Sequence, residues 1–183
     1  MIVEETELDG VLVLRPARFT DDRGWFSETW NQNTLINNGI NISFVQDNHS
    51  YSQNAGTVRG LHYQAPPHAQ AKLVRCTAGA ILDFAVDARL SSQNYGRHVK
   101  VELSAEEGTQ LLIPEGFLHG FSTLTDDAEV VYKCSDFYNP DSDGSVLWNS
   151  PVLNIDWGLT GDAHLSDKDA AAIDFAQWAS PFA

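Results

Sequence analysis

The chain has 183 residues, of which 43% are hydrophobic, and it carries a formal net charge of −14. This length predicts one domain over residues 1–183, and the apolar fraction excludes an intrinsically disordered chain. An acidic surface repels nucleic acid and anionic bilayers, so the charge argues against both as partners.

The sequence shows no export or anchoring signal. Its apolar stretches are far shorter than the roughly 20 residues of a spanning helix, and the N-terminus lacks the regions of a secretory signal. Cys76 and Cys134 are distant in sequence and form no Cys-x-x-Cys motif. We therefore expect two reduced, buried cysteines in a cytoplasmic protein.

Short runs rich in Val, Ile, Leu and Phe predict strands along most of the chain. In chain order they span residues 11–14, 42–46, 72–76, 80–86, 98–103, 110–113 and 129–134. Turn residues separate them, and this spacing predicts an all-β antiparallel barrel or sandwich. Two further segments, residues 33–38 and 167–178, predict short helices. The chain has no Gly-x-Gly-x-x-Gly loop, which argues against a doubly wound sheet.

Four stretches concentrate polar residues between or within these runs. They are residues 19–28, residues 46–50, residues 58–64 with Lys72, and residues 114–121. The chain has only 11 basic residues, and Arg23, Arg59 and Lys72 all fall in these stretches. This concentration predicts one cationic cavity.

The last two polar stretches resemble the two motifs of the cupins, which are double-stranded β-helix (jelly-roll) barrels. His62 and His119 fall at the positions of two cupin metal ligands, whereas Gln64 and Lys72 stand where the other two ligands are usual. A lysine ammonium has no lone pair to donate and repels a cation, so no metal is expected. A cation at that place can instead polarise a carbonyl group.

A closer resemblance extends over nearly the whole chain, to the dTDP-4-dehydrorhamnose 3,5-epimerase family of metal-free, cupin-like enzymes. The matching motifs, in family order, are DRGWF (22–26), FVQDNHS (44–50), VRGLHYQ (58–64), AKLVRC (71–76), IPEGFLHGF (113–121), EVVYKC (129–134) and LSDKD (165–169). The resemblance implies a cupin-type jelly-roll barrel with an N-terminal strand extension and short peripheral helices. It also implies a homodimer without cofactors, and an isomerase that acts on dTDP-4-dehydro-6-deoxy-D-glucose.

Inverting carbons beside a ketone requires a base on one face, a cation or donor at the carbonyl oxygen, and an acid on the other face. A histidine suits the base, because its ordinary pKa lies near ~6.5. The resemblance assigns this role to His62, oriented by Asp169. It assigns the acid to Tyr132 and the enolate contact to Lys72, and it implies that His119 assists in the same pocket.

The resemblance also implies a set of contacts to the nucleotide sugar. They are Arg23, Glu28, Asp47, Asn48, His49, Arg59, Asp143 and Lys168, with Tyr138 stacking on the thymine base. Three alternatives stay open at this point. They are a mono-epimerase of C3 or C5 on a related nucleotide keto-deoxysugar, a non-catalytic cupin-type sugar-binding module, and a metal-dependent cupin.

Overall fold

Thirteen strands and two short helices make up the regular structure of the chain. The computed structural model describes all residues from Met1 to Ala183. The elements are β1 (Ile2–Glu5), β2 (Leu12–Arg15), β3 (Phe19–Asp21), β4 (Gly24–Phe26), α1 (Gln32–Asn37), β5 (Gln46–Ser52), β6 (Val58–Gln64), β7 (Lys72–Ala78), β8 (Ala80–Asp87), β9 (His98–Ser104), β10 (Gln110–Ile113), β11 (Phe117–Thr123), β12 (Ala128–Cys134), β13 (Asp143–Ser145) and α2 (Asp167–Ala170). No helix has the length and apolar character that crossing a membrane requires.

Two antiparallel sheets face each other across the main core. One has six strands in the order β1-β2-β10-β7-β12-β5, and the other has five in the order β13-β6-β11-β8-β9. Strands β3 and β4 form a separate hairpin. Neighbours such as β2 and β10 are far apart in sequence, as the crossovers of a jelly roll require. The predicted all-β jelly-roll barrel with short peripheral helices is confirmed.

Inward-facing side chains of both sheets fill the space between them. The core joins Val74, Leu111 and Val130 of the six-stranded sheet to Ile81 and Leu103 of the five-stranded sheet. Burying each such side chain contributes about 1.5–3 kcal/mol to folding. This core fixes the distance between the two sheets, and with it the width of any cavity between them.

The outer face of each sheet is also covered. The C-terminal segment packs Trp157, Phe175 and Trp178 against the five-stranded sheet. Helix α1 packs Leu35 against Leu73 of the six-stranded sheet. Both cysteines are buried and unpaired, as predicted, and burial raises the pKa of the Cys76 thiol to about 11.

Two predicted elements are wrong in their bounds. Residues 42–45 form no strand, because Ile42 and Phe44 pack as a cover on the outer face of the six-stranded sheet. The strand lies instead at β5, which starts at Gln46 and is mostly polar. The helix predicted over 167–178 ends at Ala170. Its second half leaves helical geometry because Phe175 and Trp178 are held on the sheet.

The structure also contains strands that hydrophobic patterns did not predict. Strands β6 and β11 coincide with two of the polar stretches, and they bury most of their residues. The short strands β1, β3, β4 and β13 were not predicted either. Polar side chains in β6 and β11 hid the strand pattern, and these side chains line the site described below.

Gly60 lets β6 and β11 approach closely beside that site. A Cβ on Gly60 would lie 2.6 Å from the Gly120 Cα and 3.0 Å from the His119 carbonyl oxygen, and the Gly60 φ is +138°. We expect Gly60→Ala to lower the free energy of unfolding by about 3 kcal/mol and the Tm by roughly 6–12 °C. Calorimetry measures this change, with Gly161→Ala as control because its Cβ would meet nothing within 4 Å. Equal melting temperatures for the two variants would contradict the prediction.

Candidate active site

A small cavity between the two sheets contains most of the predicted chemistry. It is lined by Ser50, Arg59, His62, Lys72, His119, Phe121 and Tyr132. His62 and His119 lie opposite each other in the pairing of β6 and β11, in the five-stranded sheet. Lys72 and Tyr132 come from β7 and β12 of the six-stranded sheet. The two histidines and the Lys–Tyr pair therefore approach the cavity from opposite walls.

His62 is paired with a carboxylate from the C-terminal part of the chain. Its Nε2 lies 2.6 Å from Oδ1 of Asp169, which is buried at the end of α2. Ser166 caps this helix, and its hydroxyl donates to Asp169 Oδ2 at 2.9 Å. The carboxylate accepts from Nε2–H, which leaves the Nδ1 lone pair of a neutral imidazole available for a proton.

The environment of Asp169 favours its ionised form. Burial alone would raise the pKa of this carboxyl, but hydrogen bonds from His62 and Ser166 and the charge of His62 hold it below its ordinary value. A permanent negative charge at this place also stabilises the imidazolium that forms when His62 takes up a proton. The arrangement fits an oriented general base.

Tyr132 stands on the opposite wall as a neutral phenol. Burial raises its pKa above the ordinary tyrosine value, and the nearby Cys134 adds to this effect. The Tyr132 ring centroid lies 6.4 Å from that of His119. A phenol that stays protonated through the neutral range can donate a proton across the cavity.

Lys72 brings an ammonium group into the cavity without any bonded partner. It forms no ion pair or hydrogen bond, and its Nζ lies 5.9 Å from the Tyr132 ring centroid. Burial lowers its pKa, and Cys134, Asp143 and Asp83 partly offset this effect. An unpaired cation facing an enclosed polar cavity is suited to a negatively charged or strongly polarised oxygen of a ligand.

A second His–carboxylate pair lies deeper in the same wall. His119 Nε2 is 2.7 Å from Oδ1 of Asp83, and both side chains are buried. Burial lowers the His119 pKa, although Asp83 acts in the opposite direction. The other carboxylate oxygen of Asp83 and the Ser50 hydroxyl have no partner. The sequence analysis did not assign Asp83 or Ser50 to the site. An aspartate inside the apolar run 81–86 was nevertheless a usable signal for Asp83.

Other predicted binding residues lie on the strands that carry the cavity side chains or on segments next to those strands. Arg59 lines the cavity and is held by the Ser52 hydroxyl at 3.1 Å and the Tyr51 carbonyl at 2.8 Å. Asn48 points inward from β5 and donates to the Cys134 sulfur. Asp143, opposite Gln64 in the pairing of β13 and β6, bonds to Lys168. Tyr138 is exposed on the loop that follows β12.

Three further predicted contacts, Asp47, His49 and Glu28, do not reach the cavity. Side chains alternate along β5, so Asp47 and His49 point outward and pair with Lys133 and Glu129. Glu28 accepts hydrogen bonds from Asn31 and Thr34 at the start of α1.

The prediction that one cavity unites Arg23, Arg59 and Lys72 is wrong for Arg23. Arg23 lies on the β3–β4 hairpin, is 90% exposed and pairs only with Asp21. The cavity therefore unites Arg59 and Lys72 but not Arg23, because the hairpin forms a separate sheet. No group of three or more His, Cys, Asp or Glu side chains is arranged to hold a metal ion.

Other depressions on the surface lack this combination of groups. One of them, of about 460 Å³, is larger than this cavity and is lined by residues 55–56, 123–124, 158–162 and 164. Its titratable side chains are Asp162 and His164, which form no ion pair with each other or with a neighbour. Size alone does not identify the site; a base, an acid and a free cation facing one another do.

Comparison with known proteins gives consistent matches over nearly the whole chain. The family model described as dTDP-4-dehydrorhamnose 3,5-epimerase matches residues 5–177. The chain is 50% identical over 175 residues to the dTDP-4-dehydrorhamnose 3,5-epimerase of Salmonella typhimurium, covering 94% of each.

Two solved structures are similar as well. One is the dTDP-6-deoxy-D-glucose-3,5-epimerase of Legionella pneumophila in complex with dTDP-4-keto-L-rhamnose, with a TM-score of 0.92, 42% identity and coverage of 96% of this chain and 93% of that one. The other is the dTDP-4-dehydrorhamnose 3,5-epimerase of Bacillus anthracis with TDP and PPi bound, with a TM-score of 0.92, 45% identity and coverage of 95% and 99%.

Proposed function

Because the chain belongs to the dTDP-4-dehydrorhamnose 3,5-epimerase family, we propose that His62, Lys72 and Tyr132 carry out this family's reaction on the two walls of its cavity. The enzyme is an isomerase that converts dTDP-4-dehydro-6-deoxy-D-glucose to dTDP-4-dehydro-L-rhamnose in dTDP-rhamnose synthesis. The reaction inverts C3 and C5, the two carbons that flank the C4 ketone. The protons on these carbons are the only ones that the ketone acidifies within the ring.

Proton removal begins at His62. Its Nδ1 takes the proton, and the electron pair of the C–H bond becomes the C=C bond of an enolate. Asp169 keeps the imidazole oriented and stabilises its positive form. The negative charge moves to the C4 oxygen, where the Lys72 ammonium stabilises it. A charge that develops in an enclosed site beside a fixed cation commonly gives a large part of the rate enhancement.

Inversion is completed from the other wall. The Tyr132 phenol delivers its proton to the opposite face of the planar carbon, and the enolate electrons form the new C–H bond. Solvent then returns a proton to Tyr132 and removes one from His62. The same cycle at the second carbon gives the doubly inverted sugar.

The observation that carries this proposal is the placement of base and acid on different sheets. His62 belongs to the five-stranded sheet and Tyr132 to the six-stranded sheet, and Lys72 lies beside Tyr132. A sugar ring held between the sheets would present one face to each group. This arrangement fits inversion better than simple binding, which needs no oriented base.

A proton-exchange experiment tests the function directly. EDTA-treated protein is incubated with dTDP-4-dehydro-6-deoxy-D-glucose in D₂O, and the C3 and C5 proton signals are followed by NMR. Loss of both signals supports the double epimerase, and loss of one supports a mono-epimerase. Binding without exchange would favour the sugar-binding module, and loss of activity on chelation would favour a metal-dependent cupin.

Tyr132→Phe separates the two halves of the mechanism. His62 and Lys72 remain in this variant, so we expect solvent deuterium to keep entering at C3 and C5 while formation of the inverted product falls by about 10²- to 10³-fold. The same NMR spectra report both quantities. Equal loss of exchange and inversion would contradict the assignment of Tyr132 as the acid of the opposite face.

We also propose that the protein is a homodimer in which the β3–β4 hairpin contacts the second copy. Phe19, Trp25 and Phe26 of this hairpin are all strongly exposed, and exposed apolar groups of this size are typical of interfaces. In such a dimer the hairpin would bring Arg23, which lies outside the cavity of its own chain, against the second copy.

Replacing Trp25 and Phe26 with serine tests the proposed interface. We expect the mass in light scattering to fall from that of two chains to that of one, with the circular dichroism spectrum preserved. Leu90→Ser is the matched control, because Leu90 is an equally exposed apolar residue outside the hairpin. An unchanged mass for the double variant would exclude the hairpin as the contact.

Two further expectations stay proposals. We propose that residues 1–183 form one domain, which the packing of both termini on the central sheets supports, and a single cooperative unfolding transition would test it. We also propose a cytoplasmic location, which the two free cysteines support and cell fractionation would test.

A further inference from the structure

Glutamine side chains hold the backbone of the loop that follows β12. Each residue from 136 to 139 forms one hydrogen bond between its backbone and a glutamine carboxamide. The four bonds are Gln70 Nε2 to the Asp136 carbonyl (2.8 Å), Gln64 Nε2 to the Phe137 carbonyl (3.0 Å), the Tyr138 N–H to Gln46 Oε1 (2.8 Å) and the Asn139 N–H to Gln64 Oε1 (2.9 Å). We call this set the carboxamide clamp.

Gln64 is the centre of the clamp. Its side chain is buried, and it lies on β6 two residues after His62. Besides its two bonds to the loop, it donates to the His68 carbonyl of the neighbouring loop 65–71. A residue that stands where metal-binding cupins have a histidine therefore ties two loops together here.

Further bonds join the same two loops. His68 Nδ1 lies 3.0 Å from Asp136 Oδ2, and the Ala71 N–H donates to the Ser135 hydroxyl at 2.8 Å. The Ser135 N–H in turn donates to the Ala71 carbonyl at 3.0 Å. With so many of its backbone groups bonded, the loop 135–139 has little freedom to change conformation before a ligand arrives.

This fixed loop presents aromatic side chains to solvent. Tyr138 is 59% exposed, although its own N–H and that of Asn139 are both hydrogen-bonded to glutamine side chains. The loop starts three residues after Tyr132 of β12, and its Asn139 N–H is bonded to Gln64, two residues after His62 of β6. It therefore joins the ends of the two strands that carry the proposed acid and base. A flat, exposed ring on a rigid backbone is suited to stacking against a flat heterocycle, and preorganisation reduces the entropy lost on binding.

We propose that Gln64 and Gln70 are positioning residues, which hold Tyr138 ready to receive the base of the nucleoside diphosphate. They act through Tyr138 and touch neither the base nor the reacting carbons. The inference rests on the proposed function, since it assumes that the sugar in the cavity carries a nucleotide whose base reaches the loop.

Binding of dTDP and of pyrophosphate, measured by calorimetry, tests the clamp. Gln64→Met removes three side-chain bonds and Gln70→Met removes one, at nearly constant volume. We expect the Kd for dTDP to rise about tenfold and about threefold respectively, with pyrophosphate affinity unchanged. At saturating substrate, kcat should stay within about twofold while KM rises. Gln93→Met is the matched control, because Gln93 is exposed and its side chain makes no hydrogen bond.

A double-mutant comparison with Tyr138→Ala distinguishes positioning from general damage. If the clamp acts through Tyr138, Gln64→Met and Gln70→Met should change dTDP affinity less than about twofold in the Tyr138→Ala background. Full additivity, equal loss of pyrophosphate binding, or a fall in kcat with an unchanged KM would each overturn the proposal. Gln70→Met, at the periphery, still gives the answer if Gln64→Met fails to fold. Wild-type protein that binds dTDP through the clamp but exchanges no protons would refute the proposed catalysis and leave the clamp intact.

Discussion

Replacing His62 with alanine is expected to slow proton exchange at both C3 and C5 by about 10³- to 10⁴-fold, with dTDP affinity nearly unchanged. In the proposed mechanism the His62 imidazole accepts the proton, and its pairing with Asp169 orients it toward the cavity. The remaining activity would come from Lys72 and from the bound geometry alone. Exchange rates from NMR in D₂O and dTDP affinity from calorimetry measure the two effects.

His164→Ala is the matched control for this experiment. His164 is exposed, and its hydrogen bonds come from its backbone rather than its ring. The His164→Ala variant should therefore exchange the C3 and C5 protons of the substrate at the wild-type rate. A His62→Ala variant that keeps wild-type exchange at either carbon would show that another group removes that proton. Loss of dTDP binding in the same variant would instead indicate a damaged site.

Lys72→Met should lower kcat by about 10²- to 10³-fold, because it removes the cation at the oxygen where the enolate charge develops. The methionine side chain keeps the length of the lysine stem and loses the ammonium group with its charge and its hydrogen-bond donors. Lys100→Met is the control, since Lys100 is an exposed lysine paired with Asp156 on the outer surface. Steady-state kinetics at saturating substrate give the comparison, and equal kcat for the two variants would exclude Lys72 from catalysis.

The alkaline side of the pH–rate profile follows from the same lysine. Burial lowers the pKa of Lys72, so its ammonium loses its proton at a lower pH than an ordinary lysine, whereas burial moves the loss of the Tyr132 proton to higher pH. As the pH rises, activity should therefore begin to decline at a pH lower than the ordinary lysine pKa of about 10.4. Lys72→Arg keeps its charge and should move this fall to higher pH. A profile that Lys72→Arg leaves unchanged would assign the alkaline group to another residue.

Sequence patterns predicted the strands whose buried positions are mostly apolar, on both faces as in β10 or on one face as in β9. Residues 110–113 are buried throughout, and the prediction matches β10 residue for residue. Strand β5 was missed because inward residues such as Ser50 are as polar as outward ones such as His49. In a strand that lines a polar cavity, alternation of hydrophobic and polar residues is lost.

The candidate site could be assembled only through resemblance to a family. His62 and Asp169 are 107 residues apart, and no spacing rule connects them. The structure brings them into contact because α2 is held against β6, and Ser166 fixes the carboxylate there. The outward direction of Asp47 and the separate hairpin of Arg23 depend on strand pairing, which single residues do not reveal.

The long separation of His62 from Asp169 also has a consequence for the timing of synthesis. At the usual 5–20 residues per second, roughly 5–20 seconds pass on the ribosome between the addition of the histidine and of its carboxylate partner, 107 positions later. The strands that carry Lys72 and Tyr132 are synthesised within this interval, before the carboxylate that orients His62 has been added. A nascent chain therefore completes the His62–Asp169 pair only after all the strands of both sheets have been made.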